Sequence, residues 1–512
     1  MQQQRQSATY TTFFCFCAIV AVWLLAQWFY ARPSVAAADW MGWRQADTQA
    51  IALNFRDSGN DILHPQIDWR GEGPGFVETE FQLYPWLIKL LLPASGNIEW
   101  PGQLLSMLAI AGAIALAYRT LATVYSPAIA LLAALAALAN LGSLHLATSI
   151  QPDALCFFFY CAQLVGFYWY LQAPARAGSA WLAIATLCAI LAVLIKPTAL
   201  HLGIIQFVAL LLGARHKLKS PLPWICWVLI LALFGIYVRV AHLLYEQYGN
   251  TFGIGFGGDA KWPGLAELLN PMNYYTLLRA SLTWGIGITG LIGGLILLVR
   301  RRLTAWEWAL IAGNAAHLVV SMRYSASIWL ASHYHIFAVF LGAWLTAHAL
   351  HEIAPALRQW RNAVLIAIGI ALVAQAGLNT YHRVHHPDRD GERFIALAQM
   401  AQPFLQPNEL VVVRSPTTAR VDGWAGGENN FEDPRLFYLT ATKGWVLARD
   451  EDNVEQLQKS IAHGARHYIH LEAFDRLEKT QAWLEQNAQV LASNEYGAIY
   501  RFNEKPVNSS GE

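Results

Sequence analysis

The feature that most restricts how this chain can fold is a series of long apolar runs. About 20 apolar residues are needed to cross the hydrocarbon core of a bilayer as a helix. We predict about eleven such spans, so the chain is expected to be an α-helical polytopic membrane protein. The predicted spans are residues 11–31, 102–122, 127–147, 154–171, 180–195, 198–213, 223–244, 281–299, 305–322, 333–350 and 362–379.

The composition of the 512 residues agrees with a membrane protein, because 55% are hydrophobic and only 13% are charged. Soluble domains are about one quarter charged. The net charge of +1 implies no attraction to nucleic acid, and no nucleic-acid partner is expected. The six cysteines all lie in apolar runs, so we interpret them as small buried hydrophobic residues.

Basic residues recur in every second loop, which predicts the orientation of the chain, because short loops rich in Lys and Arg stay on the cytoplasmic side. With the N-terminus inside, segments 32–100 and 245–280 and everything after about residue 380 lie outside. We interpret the first span as a signal anchor, and cleavage near SVAAADW remains the alternative. The inner basic residues are Arg5, Arg119, Arg176, residues 214–219, residues 300–302, Arg358 and Arg361.

A change in composition near residue 386 predicts a second domain, because charge rises there and the long apolar runs end. We predict a membrane domain at residues 1–385, with the outer loop 32–100, and a small soluble α/β domain at residues 386–512. Alternating patterns predict a parallel or mixed sheet covered by helices. The expected elements are strands at 409–415, 466–472 and AIYRF near residue 500, and a helix at 452–465.

Acidic residues stand out in the first outer loop. In WRQADTQAIALNF, residues 43–55, apolar residues recur at helical spacing, and Arg44 and Asp47 occupy neighbouring turns. This pattern predicts an interfacial helix with its polar groups facing a cavity. Glu78 and Glu80 follow in EGPGFVETEFQLYPW. The alternative is that Asp47 only caps or solvates an interfacial helix and that Glu78 and Glu80 are ordinary loop charges.

Ionisable residues also occur at the predicted outer ends of spans. Asp153 opens a helix in SIQPDAL, and Lys196 interrupts the apolar run AVLIKPTAL. Such residues are costly in a membrane and indicate function, although helix capping or snorkelling would also explain them. His333 and His335 diverge by about 200° on a helix, so only one should face a ligand unless the chain is unwound there.

The order of these motifs resembles the polytopic glycosyltransferases of the GT-C type. The likeness rests on WRQADT, ETEFQLYPWL, SIQPDALCFF, IKPTAL and HYHIF, followed by an exported C-terminal domain, and it covers about residues 10–380. The chain is similar to bacterial protein O-mannosyltransferases and lipid A aminoarabinose transferases of glycosyltransferase family 39. Threonine follows Asp47 where many relatives carry a second acid, so a role that needs an acidic pair there is in doubt.

The resemblance implies transfer of a sugar from a polyprenyl-phosphate carrier to an envelope glycan, lipid or protein on the outer side of a bacterial inner membrane. Such a transfer needs a base for the acceptor hydroxyl and cations for the phosphate, and displacement from the opposite face predicts inversion. We assign catalysis to Asp47 and Glu80, which also form a candidate site for a divalent metal. Candidate donor-phosphate ligands are Lys196, Arg239 and His335, and candidate substrate contacts are Arg44, Glu78, Asp153 and His333.

Two other functions compete with this prediction. A transporter or flippase would also have many spans, but no repeated halves are visible and the middles of the spans are almost entirely apolar. A non-catalytic envelope assembly protein would tolerate the loss of Asp47. The glycine-rich outer loop at residues 250–264 does not match a nucleotide-binding fingerprint and is interpreted as a flexible connector or a lid.

Overall fold

The computed structural model describes residues 2–31, 35–254, 262–326, 332–385, 389–418, 431–471 and 477–503. Most of them are helical. Within the predicted membrane domain the helices are α1 Gln2–Ala31, α2 Gly42–Ser58, α3 Leu83–Leu91, α4 Trp100–Val124, α5 Pro127–Leu138, α6 Leu141–Thr148, α7 Pro152–Gln172, α8 Ala175–Ile195, α9 Leu202–Gly213, α10 Arg215–Leu218, α11 Leu222–Tyr248, α12 Leu265–Leu269, α13 Pro271–Trp284, α14 Gly287–Val299, α15 Ala305–Val320, α16 Met322–Ser325, α17 Phe337–Ile353 and α18 Arg361–His385. Short 3-10 turns at Ala36–Ala38, Pro197–His201, Ser332–Ile336 and Arg358–Trp360 connect some of these helices.

The apolar helices are those of a multi-pass membrane protein. Seven helices of the described residues are long and apolar enough to cross a membrane, and the number rises to nine if two bent pairs each form one span. Each of the eleven predicted runs lies on these helices or on two shorter ones, Pro197–Gly213 and α15. The eleven predicted runs are therefore helical, although their lengths differ.

Two of the predicted spans are broken. The helix pair α5 and α6 bends by 63°, and the pair α13 and α14 bends by 112°. Asn140 joins the two breaks, because its Nδ2 donates to the Gly285 carbonyl at 2.9 Å while its Oδ1 accepts from the Gly142 amide at 2.8 Å and caps α6. Hydropathy alone did not reveal these bends.

Helix α2 differs from the predicted interfacial helix. Eleven of its residues are buried, including Ala46 and Ala50, which pack against Tyr438 of the C-terminal region. Ile51 and Phe55 on another side contact Ile67 and Val77 of the outer loop. Because it is covered on several sides, α2 lies inside the protein between the outer loop and the C-terminal region.

The C-terminal region forms a mixed five-stranded sheet with the order β2-β1-β3-β5-β4. Strand β1 pairs in parallel with β2 and β3, and β5 pairs antiparallel with β3 and β4. Three strands and one helix were predicted, whereas β2 and β4 were not. The elements are α19 Arg389–Ala401, a 3-10 turn at Gln402–Phe404, β1 Leu410–Arg414, α20 Arg435–Thr440, β2 Lys443–Leu447, α21 Val454–Ala462, β3 His467–Leu471, α22 Glu478–Asn487, β4 Ala488–Asn494 and β5 Gly497–Phe502.

The sheet docks on the outer loop through its edge strand β2. The Gly444 amide donates to the Asp68 carbonyl at 3.0 Å, and the Gly71 amide donates to the Gly444 carbonyl at 2.8 Å. Lys443 Nζ donates to Asn54 Oδ1 at 2.9 Å. Backbone and side-chain bonds together attach the C-terminal region directly above α2.

Candidate active site

A buried cluster of charged side chains lies where α2, α7 and α8 meet. Asp153 accepts from Lys196 Nζ at 2.9 Å through Oδ1 and from Arg44 Nη2 at 3.2 Å through Oδ2. Arg44 Nη1 also lies 2.5 Å from His333 Nε2. The structure thus brings together four of the predicted site residues from distant parts of the sequence, and we call Arg44, Asp153, Lys196 and His333 the cationic cluster.

Local sequence explains how each member reaches the cluster. Pro152 occupies the first turn of α7, where its missing amide hydrogen costs nothing, and it places Asp153 at the helix N-terminus. Pro197 ends α8 after Ile195, so Lys196 has an extended backbone at the helix end. His333 lies in the 3-10 turn Ser332–Ile336, where the chain is no longer α-helical.

The cationic cluster carries more positive than negative charge. Two cations share the single carboxylate of Asp153, which is 3% exposed, and Lys196 is 5% exposed. Arginine can only donate, so His333 Nε2 accepts and the neutral ring carries its proton on Nδ1. Nδ1 is buried and has no hydrogen-bond partner among the described residues. The cluster therefore offers an anion a net positive charge and an unused donor.

Tyr334 and Glu80 border the cluster. Lys196 Nζ lies 5.7 Å from the centre of the Tyr334 ring. Tyr334 also lies within the electrostatic influence of Arg44, Glu80 and Asp153. Glu80 is partly buried, accepts from Thr79 Oγ1 at 3.1 Å, and lies close enough for its charge to act on Tyr334.

Asp47 lies one turn after Arg44 on α2 and is 6% exposed. Burial raises the pKa of its carboxyl group well above the ordinary value, and the hydrogen bond from Trp69 Nε1, 3.0 Å long, lowers that pKa. The negative charges of neighbouring acids raise the pKa further. These acids are Asp433, Asp68 and Glu432. A buried carboxyl group with a raised pKa suits proton transfer near neutral pH.

Glu78 and His335 are engaged in contacts that hold the fold together. Glu78 is fully buried and accepts from Thr251 Oγ1 and from His242 Nδ1, the latter at 3.3 Å. His335 binds the Ser281 hydroxyl through Nδ1 at 2.9 Å and the Ser325 carbonyl through Nε2 at 2.7 Å. Both ring nitrogens of His335 are occupied, and the structure does not bring either residue into the cationic cluster.

Arg239 also stands apart from the cluster. Its side chain is 60% exposed on α11 and pairs with Glu246 at 2.9 Å. Exposed pairs of this kind contribute little to stability and impose no geometry on a ligand. Of the three predicted phosphate ligands, Lys196 alone belongs to the cationic cluster.

The predicted metal site lacks a ligand set. Across the described residues, no group of three or more His, Cys, Asp or Glu side chains is placed to hold a metal ion. Asp47 accepts from Trp69, and Glu80 accepts from Thr79. The two carboxylates take part in separate hydrogen bonds, and a metal ion held between them and the donor phosphate stays a prediction.

Five residues near the site escaped the sequence interpretation. Tyr334 lies between the two histidines of HYHIF, a position that could have suggested it. The other four reach Asp47 only through the docking of the outer loop and the C-terminal region, and they are Asp68, Trp69, Glu432 and Asp433. No local sequence pattern marks such contacts.

Comparisons with known proteins agree on the type of fold. A family model described as dolichyl-phosphate-mannose-protein mannosyltransferase matches residues 82–238. Apo ArnT from Cupriavidus metallidurans has a TM-score of 0.65 at 13% identity, over 96% of this chain and 98% of that chain. ArnT bound to undecaprenyl phosphate gives 0.62 at 13% identity, over 95% and 97%.

An archaeal protein shares the same architecture. The apo oligosaccharyltransferase from Archaeoglobus fulgidus has a TM-score of 0.57 at 10% identity, over 96% of this chain and 75% of that chain. No curated protein matches the chain significantly by sequence. The chain is therefore a multi-pass membrane protein with the GT-C glycosyltransferase fold, similar to glycosyltransferase family 39.

Proposed function

We propose that this protein transfers a sugar from a polyprenyl-phosphate carrier to an acceptor hydroxyl. The observation that carries the proposal is the cationic cluster one helical turn from Asp47. The reaction requires positive charge to bind the phosphate leaving group and a base to accept the acceptor proton, and the two features supply these. A structural relative with undecaprenyl phosphate bound supports a lipid phosphate of this kind as the donor.

The leaving phosphate is assigned to the cationic cluster. Lys196 supplies a point charge, Arg44 supplies further donors, and His333 Nδ1 supplies the unused hydrogen bond. Asp153 holds the two cations in place, so it is a positioning residue. As the bond between the anomeric carbon and the phosphate oxygen breaks, the positive charge of the cluster stabilises the negative charge on polyprenyl phosphate.

Asp47 is proposed as the base. The acceptor oxygen forms a bond to the anomeric carbon, and its proton moves to the Asp47 carboxylate. Attack from the face opposite the phosphate inverts the anomeric configuration. Glu80, beside Tyr334, is assigned to the sugar or the acceptor. We place the reaction on the non-cytoplasmic face of a bacterial inner membrane. The basic loops are expected to stay in the cytoplasm, so the C-terminal domain would lie on the opposite side.

An envelope glycan, a lipid and a protein hydroxyl all satisfy the chemistry. Glu78 is assigned to anchoring residues 250–252 beside the site, because its backbone bonds both Asn250 and Phe252.

The decisive test measures release of free polyprenyl phosphate by purified protein from a panel of polyprenyl-phosphate sugars with candidate acceptors. Asp47→Asn is expected to lower the rate by a factor of about a hundred or more. Asp57→Asn is the matched control, because Asp57 lies on the same helix, is 58% exposed and pairs with its neighbour Arg56.

Folding is checked by thermal unfolding of both variants. Asp47→Asn is expected to be at least as stable as the wild type, because it removes a carboxyl group whose ionisation burial disfavours. A folded Asp47→Asn variant with wild-type activity would contradict the mechanism.

The broken helix pairs give the transport alternative one specific observation, because discontinuous helices occur in transporters. The same assay separates the two functions. A flippase would move the intact lipid-linked sugar across proteoliposome membranes without releasing the carrier, and a glycosyltransferase would release it.

A further inference from the structure

A second polar site lies within the membrane bundle, where the two broken helix pairs meet. It is a cavity of about 370 Å³ between α5, α13, α14, α17 and α18. None of the four residues of the cationic cluster lines it. The polar residues that line it are Asn140, Arg279, Thr283, Thr289, Gln375 and Asn379.

The polar groups of this cavity differ in how well they are satisfied. Asn140 forms hydrogen bonds with Gly285 and Gly142, one at each helix break. Asn379 Nδ2 donates to the Ala139 carbonyl at 3.0 Å. The side chains of Arg279 and Gln375 make no hydrogen bond or ion pair with any residue that the structure describes. Both side chains are exposed, so a guanidinium and an amide are open to a ligand at this surface.

The charge in the cavity has one sign. Arg279 carries the only formal charge among the lining residues, all of which belong to the described part of the chain. The amide groups at the start of α14 add to this, because no side chain caps that helix end. The cavity is therefore complementary to an anion.

The surfaces around the cavity suit a ligand that comes from the bilayer. Helix α13 exposes Met272, Tyr274, Tyr275 and Leu278, a mixture of apolar and tyrosine side chains typical of the membrane interface. The neighbouring surfaces of α14 and α18 expose apolar residues that would face lipid, including Ile288 at 64% and Ile370 at 65%. A ligand that fits both the polar cavity and these apolar surfaces has a polar head and an apolar body.

We propose that this cavity binds an anionic glycerophospholipid. The phosphate pairs with the Arg279 guanidinium and accepts from the Gln375 amide, and an acyl chain lies along Val339 and Leu372. The inference is independent of the sugar-transfer proposal, because the two sites share no residue.

The test is native mass spectrometry of the purified full-length protein titrated with phosphatidylglycerol or phosphatidylcholine. We expect the wild type to retain phosphatidylglycerol preferentially. Arg279→Ala should weaken this retention by a factor of about ten, and Arg279→Lys should keep most of it. Ala136→Leu, which narrows the cavity without changing its charge, should also weaken retention.

Arg361→Ala is the matched control, because Arg361 is an exposed arginine near the other end of α18 and does not line the cavity. Equal effects of Arg279→Ala and Arg361→Ala would overturn the proposal, as would full retention by Ala136→Leu. Preferential loss of added polyprenyl phosphate in Arg279→Ala, with phosphatidylglycerol unaffected, would overturn the assignment to a phospholipid. Unchanged donor turnover by Arg279→Ala is expected and confirms that the sites are separate.

Discussion

A base buried among other carboxyl groups has to remain partly ionised at working pH, and at Asp47 one hydrogen bond favours ionisation. Trp69 donates to the Asp47 carboxylate and lowers its pKa, opposing the effects of burial and of three neighbouring acids. The balance between these effects sets the pH at which the proposed base is charged.

The pH profile of sugar transfer tests this balance. Activity should rise with pH through the raised pKa of Asp47, because only the ionised carboxylate accepts a proton. Trp69→Phe should raise that pKa further and move the acidic limb of kcat/KM upward by about one pH unit. An unmoved acidic limb would show that Asp47 does not control the profile.

Substitutions of a cation and of the carboxylate in the cationic cluster should affect stability differently. Lys196→Met leaves the Arg44 and Asp153 pair intact, so the protein should fold while KM for the donor rises about tenfold or more. Asp153→Asn leaves two buried cations without their carboxylate and should cost about 3–5 kcal/mol of stability. Thermal unfolding and donor kinetics of both variants check this difference, and equal stability of the two would contradict the described pairing.

At the scale of elements, the 3-10 turn that presents His333 is supported from behind by the break between α13 and α14. A Cβ on Gly285 would lie 2.6 Å from the His335 carbonyl oxygen. Gly285→Ala should therefore displace the turn and lower activity at least tenfold while the protein remains folded.

Gly377→Ala is the control for this prediction. Gly377 also lies in a membrane helix, and an added Cβ would meet nothing within 4 Å. Its activity should equal that of the wild type. Equal activity of the two variants would show that the turn does not depend on the break.

The positions of the helices along the chain could be predicted from the sequence, but the angles between consecutive helices could not. Apolar runs show where a helix is stable in lipid, but they do not show that α13 and α14 meet at 112°. The hydrogen bond from Asn140 to Gly285 joins residues that are 145 positions apart, and no local pattern reveals it. Strand β4 was missed because it is mostly exposed and alternates weakly.

The site could be predicted in its residues more than in its connections. The cost of charge near lipid singled out Asp153 and Lys196, and the helical pattern of WRQADT singled out Arg44, before any contact was known. It could not show that Asp153 holds both cations, nor that Arg239 faces away with Glu246. Those facts depend on how α7, α8 and α11 rotate when they pack.

At the scale of the whole molecule, the C-terminal region is attached above α2 by a few buried polar bonds. Tyr438 donates to Glu99 at 2.6 Å, and burial raises the pKa of Glu99. Tyr438→Phe should lower stability by about 1 kcal/mol and should speed hydrogen exchange in α2 and β2. Tyr496→Phe, in the partly exposed turn between β4 and β5, is the control, and identical exchange in both variants would contradict a docking role.

The long separation of these contacts also has a consequence for biogenesis. Asn54 and Lys443 are 389 residues apart, and Glu99 and Tyr438 are 339 apart. Translation proceeds at about 5–20 residues per second, so α2 waits for tens of seconds before its covering partner emerges. During that time the nascent membrane bundle exposes an uncovered Asp47, and a chaperone or the translocation machinery would have to shield this surface until the last strands arrive.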